Sequence, residues 1–174
     1  SPAVEGPAVD SHGNLYAVNF GRDGTVGKFT SAGQASLYLT LPSGSTGNGI
    51  VFDYSGAMYI ADYTGHNILR YAQGKLSVHA HNSAMHQPND LAIMQNGVIF
   101  ASDPNWNNNS GQLWRINTDG SSHLLDPAMG TSNGIAVSPD QRYLYVNESV
   151  QRKVWRFRIN ADNSLSDKQL FAQF

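Results

Sequence analysis

Four stretches of this chain open alike: Glu5-Gly6-Pro7-Ala8-Val9-Asp10, Asn48-Gly49-Ile50-Val51-Phe52-Asp53, Asn89-Asp90-Leu91-Ala92-Ile93-Met94 and Asn133-Gly134-Ile135-Ala136-Val137-Ser138. A unit of about 43 residues therefore runs four times through the sequence, a period that signals a repeat architecture. A second anchor (Gly13, Gly56, Gly97, Gln141) stands 8 positions after each opening residue, so nothing is inserted inside this part of the unit. One such unit cannot bury its apolar face alone, and neighbouring units must stack. In a radial stack equivalent positions converge on an axis, and one polar residue per copy becomes a ring.

Each copy predicts four short strands. The first is expected at residues 8–9, 50–52, 91–93 and 135–137, followed by a turn rich in Gly, Asn and Asp, the residues that tight hairpins need. Compact apolar runs predict a second strand at 15–18, 58–61, 98–101 and 143–146. Alternation of apolar and polar residues marks a third at 26–29, 68–71, 113–116 and 154–157, and outer strands are expected near 37–39, 76–78, 123–125 and 170–172. No stretch keeps a helical period. The sequence thus predicts an all-β chain, a β-propeller of four-stranded antiparallel blades. The 174 residues form one domain, with blades at about 5–46, 47–87, 88–131 and 132–174. The Trp-Asp and double-glycine signatures of two common blade types are absent.

Composition narrows the function classes. A net charge of −2 supplies no basic field for nucleic acid, and no cysteine is present for disulfides or thiolate-bound metal. Apolar runs such as Met58-Tyr59-Ile60-Ala61 fall far short of the roughly 20 residues that span a bilayer. Ser1-Pro2-Ala3-Val4 has neither the basic nor the apolar region of a secretory leader. A soluble protein without nucleic-acid or membrane partners is expected, with cytoplasmic, periplasmic and secreted locations all open.

Two polar sets recur. Glu5, Asn48, Asn89 and Asn133 open the blades, and Asn19, Asp62, Asp103 and Asn147 end the second strands. In adjacent antiparallel strands the start of one lies beside the end of the next, so both sets are expected to rim one mouth of the channel. Asn and Asp also cap strands and build Asx-turns, and that reading stands beside the functional one. Against it, Glu is a poor turn residue. Converging carboxylate and amide oxygens suit a hard cation, Ca²⁺ before Mg²⁺, with Zn²⁺ and Mn²⁺ as further alternatives. His79 and His81 share a strand face, but on an outer strand. No Gly-x-Ser-x-Gly element or phosphate-cradling loop occurs.

Through Glu5-Gly6-Pro7, Gln87-Pro88-Asn89-Asp90 and Asn133-Gly134-Ile135-Ala136-Val137-Ser138-Pro139-Asp140, the chain resembles the superfamily of senescence marker protein (regucalcin), gluconolactonase and luciferin-regenerating enzyme. The resemblance covers essentially the whole chain and implies a six-bladed propeller, of which four blades are present here. It also implies metal-dependent hydrolysis of a small-molecule lactone or related ester, with a divalent metal at one mouth of the channel. Carried over by motif, Glu5, Asn89 and Asn133 are metal ligands, and Asn48 is a substrate or water contact. The family's fourth ligand, an Asp opening a fifth blade and the favoured general base, has no counterpart up to Phe174. Asp90, Asp103 and His86 are the candidate catalytic substitutes. Gln87 stands where sugar-lactone relatives of the regucalcin type carry Arg, and is assigned with Trp106 to substrate binding. Trp106 is expected on a long loop, residues 104–111, over the mouth. The open faces of the end blades offer a route to self-association. Residues 59–70 also resemble an NHL repeat, which implies the alternative of a non-catalytic platform for protein or carbohydrate.

Overall fold

The computed structural model describes residues 4–174, so the leader reading of Ser1-Pro2-Ala3 falls outside the described residues. Sixteen strands form four sheets, each a simple antiparallel meander in sequence order. The first blade contains β1 (Ala8–Val9), β2 (Leu15–Val18), β3 (Thr25–Phe29) and β4 (Ala35–Thr40). The second contains β5 (Gly47–Phe52), β6 (Met58–Asp62), β7 (Asn67–Ala72) and β8 (Lys75–His81). The third contains β9 (Leu91–Ile93), β10 (Ile99–Asn105), β11 (Ser110–Ile116) and β12 (Ser122–Met129). The fourth contains β13 (Ser132–Val137), β14 (Tyr143–Glu148), β15 (Lys153–Ile159) and β16 (Leu165–Gln173). Every predicted strand is present, so the propeller-type all-β architecture expected from the repeat is the one observed. No helix of the described residues is long and apolar enough to cross a membrane.

The second strands of the two inner blades show why short apolar runs replace clean alternation: they are covered on both sides. In β6, Met58 and Ile60 enter the cluster shared with the first blade, while Tyr59 and Ala61 enter the one shared with the third. In β10, Ile99 and Ala101 face the second blade, and Phe100 faces the fourth. Three apolar seams therefore hold four sheets together, with Phe100 fully buried in the last of them. Truncating such a side chain to Ala costs about 3–5 kcal/mol. A register shift recurs between the third and fourth strand of every blade, at Val26/Gly27, Ile68/Leu69, Leu113/Trp114 and Val154/Trp155. The bulge bends the outer strand and strengthens its twist.

The end sheets each keep one face without a neighbouring sheet. On the first, Leu37 is 52% exposed, and Val9 and Leu15 are exposed as well. On the last, Tyr145 and Phe171 meet edge-on, with ring centroids 5.0 Å apart.

Candidate active site

Two of the opening polar residues, Asn48 and Asn133, are displaced from the regular ladder by the backbone itself. In the second blade the register runs from Gly47↔Asp62 to Ile50↔Ile60, so Asn48 and Gly49 together oppose one residue. The fourth blade repeats this between Ser132↔Glu148 and Ile135↔Val146, bulging Asn133 and Gly134. A bulge re-aims the side chain it carries, and bulges concentrate beside active sites. In the first blade Gly6 takes a left-handed φ of 56°, and a Cβ there would collide with the Asn48 carbonyl. In the second, a Cβ on Gly49 would lie 2.8 Å from the Asn89 carbonyl oxygen, which accepts a 2.6 Å bond from the Gly49 amide. The glycines thus let successive blades close on one another just inside the ring.

The result is one cavity of about 310 Å³ lined by Glu5, Asn48, Asn89, Asp90 and Asn133, with Pro7 and Ile50. One opening residue comes from each blade. Asn89 is 6% exposed, and its side chain makes no hydrogen bond with another described residue. Asn133 donates its Nδ2 to Ser149 Oγ at 3.0 Å, so its Oδ1 is the end left for a ligand. Asp90 accepts the Leu91 amide on Oδ1 at 2.9 Å and the Ile135 amide on Oδ2 at 3.2 Å, tying the third blade to the fourth. Burial raises its carboxyl above the usual range and the Glu5 charge adds to this, while the two amides oppose it. Among the described residues no group of three His, Cys, Asp or Glu side chains is placed to hold a metal. A hard-cation site here would rest on one carboxylate and amide oxygens. The orphaned Asn89 amide and the free Asn133 Oδ1 fit Ca²⁺, which accepts such a neutral, irregular oxygen set.

The second polar set behaves differently. Asp62, 0% exposed, accepts Ser45 Oγ at 2.7 Å, Asn67 Nδ2 at 2.8 Å, the Gly65 amide at 3.0 Å and the Thr46 amide at 3.2 Å. Asp103, also 0% exposed, accepts the Gln87 amide at 2.7 Å and the His86 amide and Trp114 Nε1 at 2.9 Å. Burial pushes the Asp103 carboxyl up, against those hydrogen bonds. These two carboxylates staple the loop that delivers the opening residue of their own blade, Asn48 and Asn89. In the fourth blade the staple moves one position along, to Glu148, which accepts the Gly130 amide at 2.7 Å.

His86, Gln87, Asp103 and Trp106 lie outside the cavity lining. The long loop expected at 104–111 is instead strand: β10 and β11 run to Asn105 and from Ser110, leaving a four-residue turn of Trp106-Asn107-Asn108-Asn109. Asn109 closes it with a φ of 56°, and Gln87 Oε1 accepts the Trp106 amide at 3.1 Å. His79 and His81 are engaged separately, with Asn117 O at 3.2 Å and Asn67 Oδ1 at 2.7 Å. Sequence reasoning missed Ser149 as the group that orients Asn133. Its signal was the serine two positions after Asn147, beside the bulge.

The family model described as the SMP-30/Gluconolactonase/LRE-like region matches residues 4–174. The chain belongs to this family. A gluconolactonase of Zymomonas mobilis is 23% identical over 199 residues, covering 98% of this chain and 56% of the relative. The structure of a gluconolactonase from Xanthomonas campestris superposes with a TM-score of 0.83 at 23% identity, over 98% of this chain and 63% of that one. Regucalcin from Agrobacterium tumefaciens, a calcium-binding protein, superposes with a TM-score of 0.79 at 18% identity, over 97% and 58%. This chain thus spans 56% to 63% of the length of these relatives. The resemblance carried by the three motifs is borne out.

Proposed function

We propose that this chain carries the metal-binding mouth of a lactonase-type carboxylic ester hydrolase that opens a small-molecule lactone or related ester. The observation that carries the reading is the convergence of Glu5, Asn48, Asn89 and Asn133, one from each blade, on a single cavity. Glu5, Asn89 and Asn133 would hold a divalent cation, Ca²⁺ by the hardness of the donor set. When bound, it supplies Lewis-acid polarisation of the ester carbonyl and a lowered pKa for water.

The chain's own groups supply the rest. Asn48 offers an unengaged amide to the substrate or to the attacking water. Of the three candidate catalytic residues, Asp90 alone lines the cavity, and each of its oxygens retains a lone pair after the backbone bonds. Asp90, held in the cavity by the Leu91 and Ile135 amides, takes the proton of the water that attacks the carbonyl. That proton then goes to the departing alkoxide, giving the hydroxy acid. Asp103 is fully occupied with loop donors and serves position rather than chemistry.

The test is hydrolysis of glucono-δ-lactone, followed with and without chelator, alongside thermal melts in millimolar Ca²⁺. Wild type is expected to lose turnover on chelation and to melt higher with Ca²⁺. Glu5→Gln is expected to lose both responses while remaining folded. Equal chelator-sensitive turnover in Glu5→Gln would remove Glu5 from the mechanism and the proposal with it.

A further inference from the structure

The first strands have two ends, and the end away from Glu5 encloses a second cavity of about 300 Å³. All four blades reach it, through Asp10, Phe52, Tyr54, Ile93, Met94 and Gln141 among others. It is bounded by the last residues of the first strands and the turns that follow them, whereas the Glu5 cavity is bounded by the residues before and at the start of those strands. The proposed hydrolytic chemistry uses none of these residues.

Its lining combines three features. Phe52, Ile93 and Met94 give an apolar floor at the ends of the first strands. Tyr54 stands on the turn at the rim, 82% exposed and without a hydrogen bond or ring contact to another described residue. Folding does not use that ring, and an unsupported aromatic at a cavity rim is available for stacking. The only charged side chains in the lining are two carboxylates, Asp10 and Asp53, and no Lys, Arg or His joins them.

The two carboxylates differ in capacity. Asp10 is saturated: Oδ1 accepts the His12 and Asn14 amides, and Oδ2 accepts Asn14 Nδ2 and the Tyr16 hydroxyl, all at 2.9 Å. Asp53 Oδ1 accepts the Ser55 amide, Ser55 Oγ and the Ala57 amide, but Oδ2 accepts only the Tyr59 hydroxyl, at 3.3 Å. Asp53 Oδ2 therefore keeps an open lone pair, while Asp10 contributes charge alone. Burial pulls both carboxyls upward, yet the turn hydrogen bonds outweigh it and hold both below the usual range, so both remain ionised. An apolar floor, a free aromatic rim and fixed negative charge together select a ligand with a cationic head on an apolar body.

We propose that this second mouth binds a small aryl- or alkylammonium, its body on Phe52, Ile93 and Met94, its ring or head against Tyr54, and its ammonium donating to Asp53 Oδ2. The site is independent of the hydrolase reading and stands or falls without it.

Three probes of one shape and different charge test it by calorimetric titration: 2-phenylethylamine, 2-phenylethanol and 3-phenylpropionate. The amine is expected to bind about tenfold or more tightly than the alcohol, with the carboxylate weakest, since one charge-assisted hydrogen bond separates the first two. Asp53→Asn keeps the Oδ1 acceptor that organises the turn, and is expected to bring the amine down to the affinity of the alcohol. Tyr54→Ala removes an exposed, unbonded side chain and is expected to weaken amine and alcohol severalfold alike. Glu5→Gln, which removes a carboxylate at the other mouth, is expected to change neither. The proposal is overturned if no probe binds, if all three bind equally, or if the amine preference survives Asp53→Asn. It is also overturned if Glu5→Gln abolishes that preference, because the ammonium would then sit at the first mouth.

Discussion

The two polar sets look interchangeable as text: four Asn, Asp or Glu residues each, one per blade, at neighbouring strand ends. In the folded chain they divide. Asp62 and Asp103 are consumed by four and three donors from the adjoining loops and the neighbouring third strand, and neither lines the shared cavity. Glu5, Asn48, Asn89 and Asn133 meet in that cavity, and the amides of Asn48 and Asn89 are left without partners. What separates a staple from a ligand is therefore the supply of nearby donors rather than residue type. A carboxylate beside a loop full of unsatisfied N–H groups is spent on them. The bulged Asn48 makes no side-chain hydrogen bond, and the bulged Asn133 spends only its Nδ2, on Ser149, so an amide oxygen of each stays available.

The sharpest way to break this contrast is Asp103→Ala. It strands the part-buried His86 and Gln87 amides, each of which costs roughly 1–3 kcal/mol when unsatisfied, while Trp114 Nε1 keeps Gln112 Oε1, so a loss of about 2–3 kcal/mol of stability is expected in urea unfolding. Glu5→Gln, at an exposed side chain without such partners, is expected to stay within about 0.5 kcal/mol in the absence of metal. Similar losses for the two variants would erase the distinction. With Ca²⁺ at 100 times its dissociation constant, wild type is expected to gain about 2.7 kcal/mol, which Glu5→Gln would not share.

A smaller effect sharpens the role of the glycines. A Cβ at position 49 meets backbone, the Asn89 carbonyl oxygen and the Asp90 Cα, each at 2.8 Å, in a seam closed by two blades. A Cβ at position 134 meets only the Asn147 Oδ1, at 3.0 Å, the movable end of a side chain. Gly49→Ala is expected to cost about 1–3 kcal/mol and Gly134→Ala less than about 1 kcal/mol. Equal thermal shifts would show that the seam is not tight.

The smallest effect expected is in pH dependence. Asp53 has a folded-state pKa below its unfolded value, so its contribution is present above about pH 4 and is lost as pH falls through the folded pKa. Asp103 is raised, so its contribution is present at low pH and is lost as pH climbs above about 4 through its folded pKa. Melts of Asp53→Asn and Asp103→Asn from pH 3 to 7 are therefore expected to depart from wild type with opposite slopes. Parallel profiles would contradict the opposite assignment of the two groups.

Much of this was legible before folding. Local apolar runs and turn residues placed all sixteen strands, because a blade is built from contacts close in sequence and repeated. The motifs around Glu5, Asn89 and Asn133 placed three of the residues that meet in the cavity. The extent of the loop that carries Trp106 was misread because the polar run Asn107-Asn108-Asn109 looks like loop, whereas pairing with β11 extends β10 to Asn105 and shrinks the loop to a turn. The role of Asp90 as a bond between blades was invisible, since its partner Ile135 lies a whole repeat away.

By itself the sequence determined the repeat, its strands and the single carboxylate among the opening amides, because these depend on period and local chemistry. Tertiary structure decided which polar ring faces the axis, which is spent on loops, and that the first strands carry a cavity at each end. Those outcomes depend on bulges, seams and distant donors, which exist only once one blade has closed against the next.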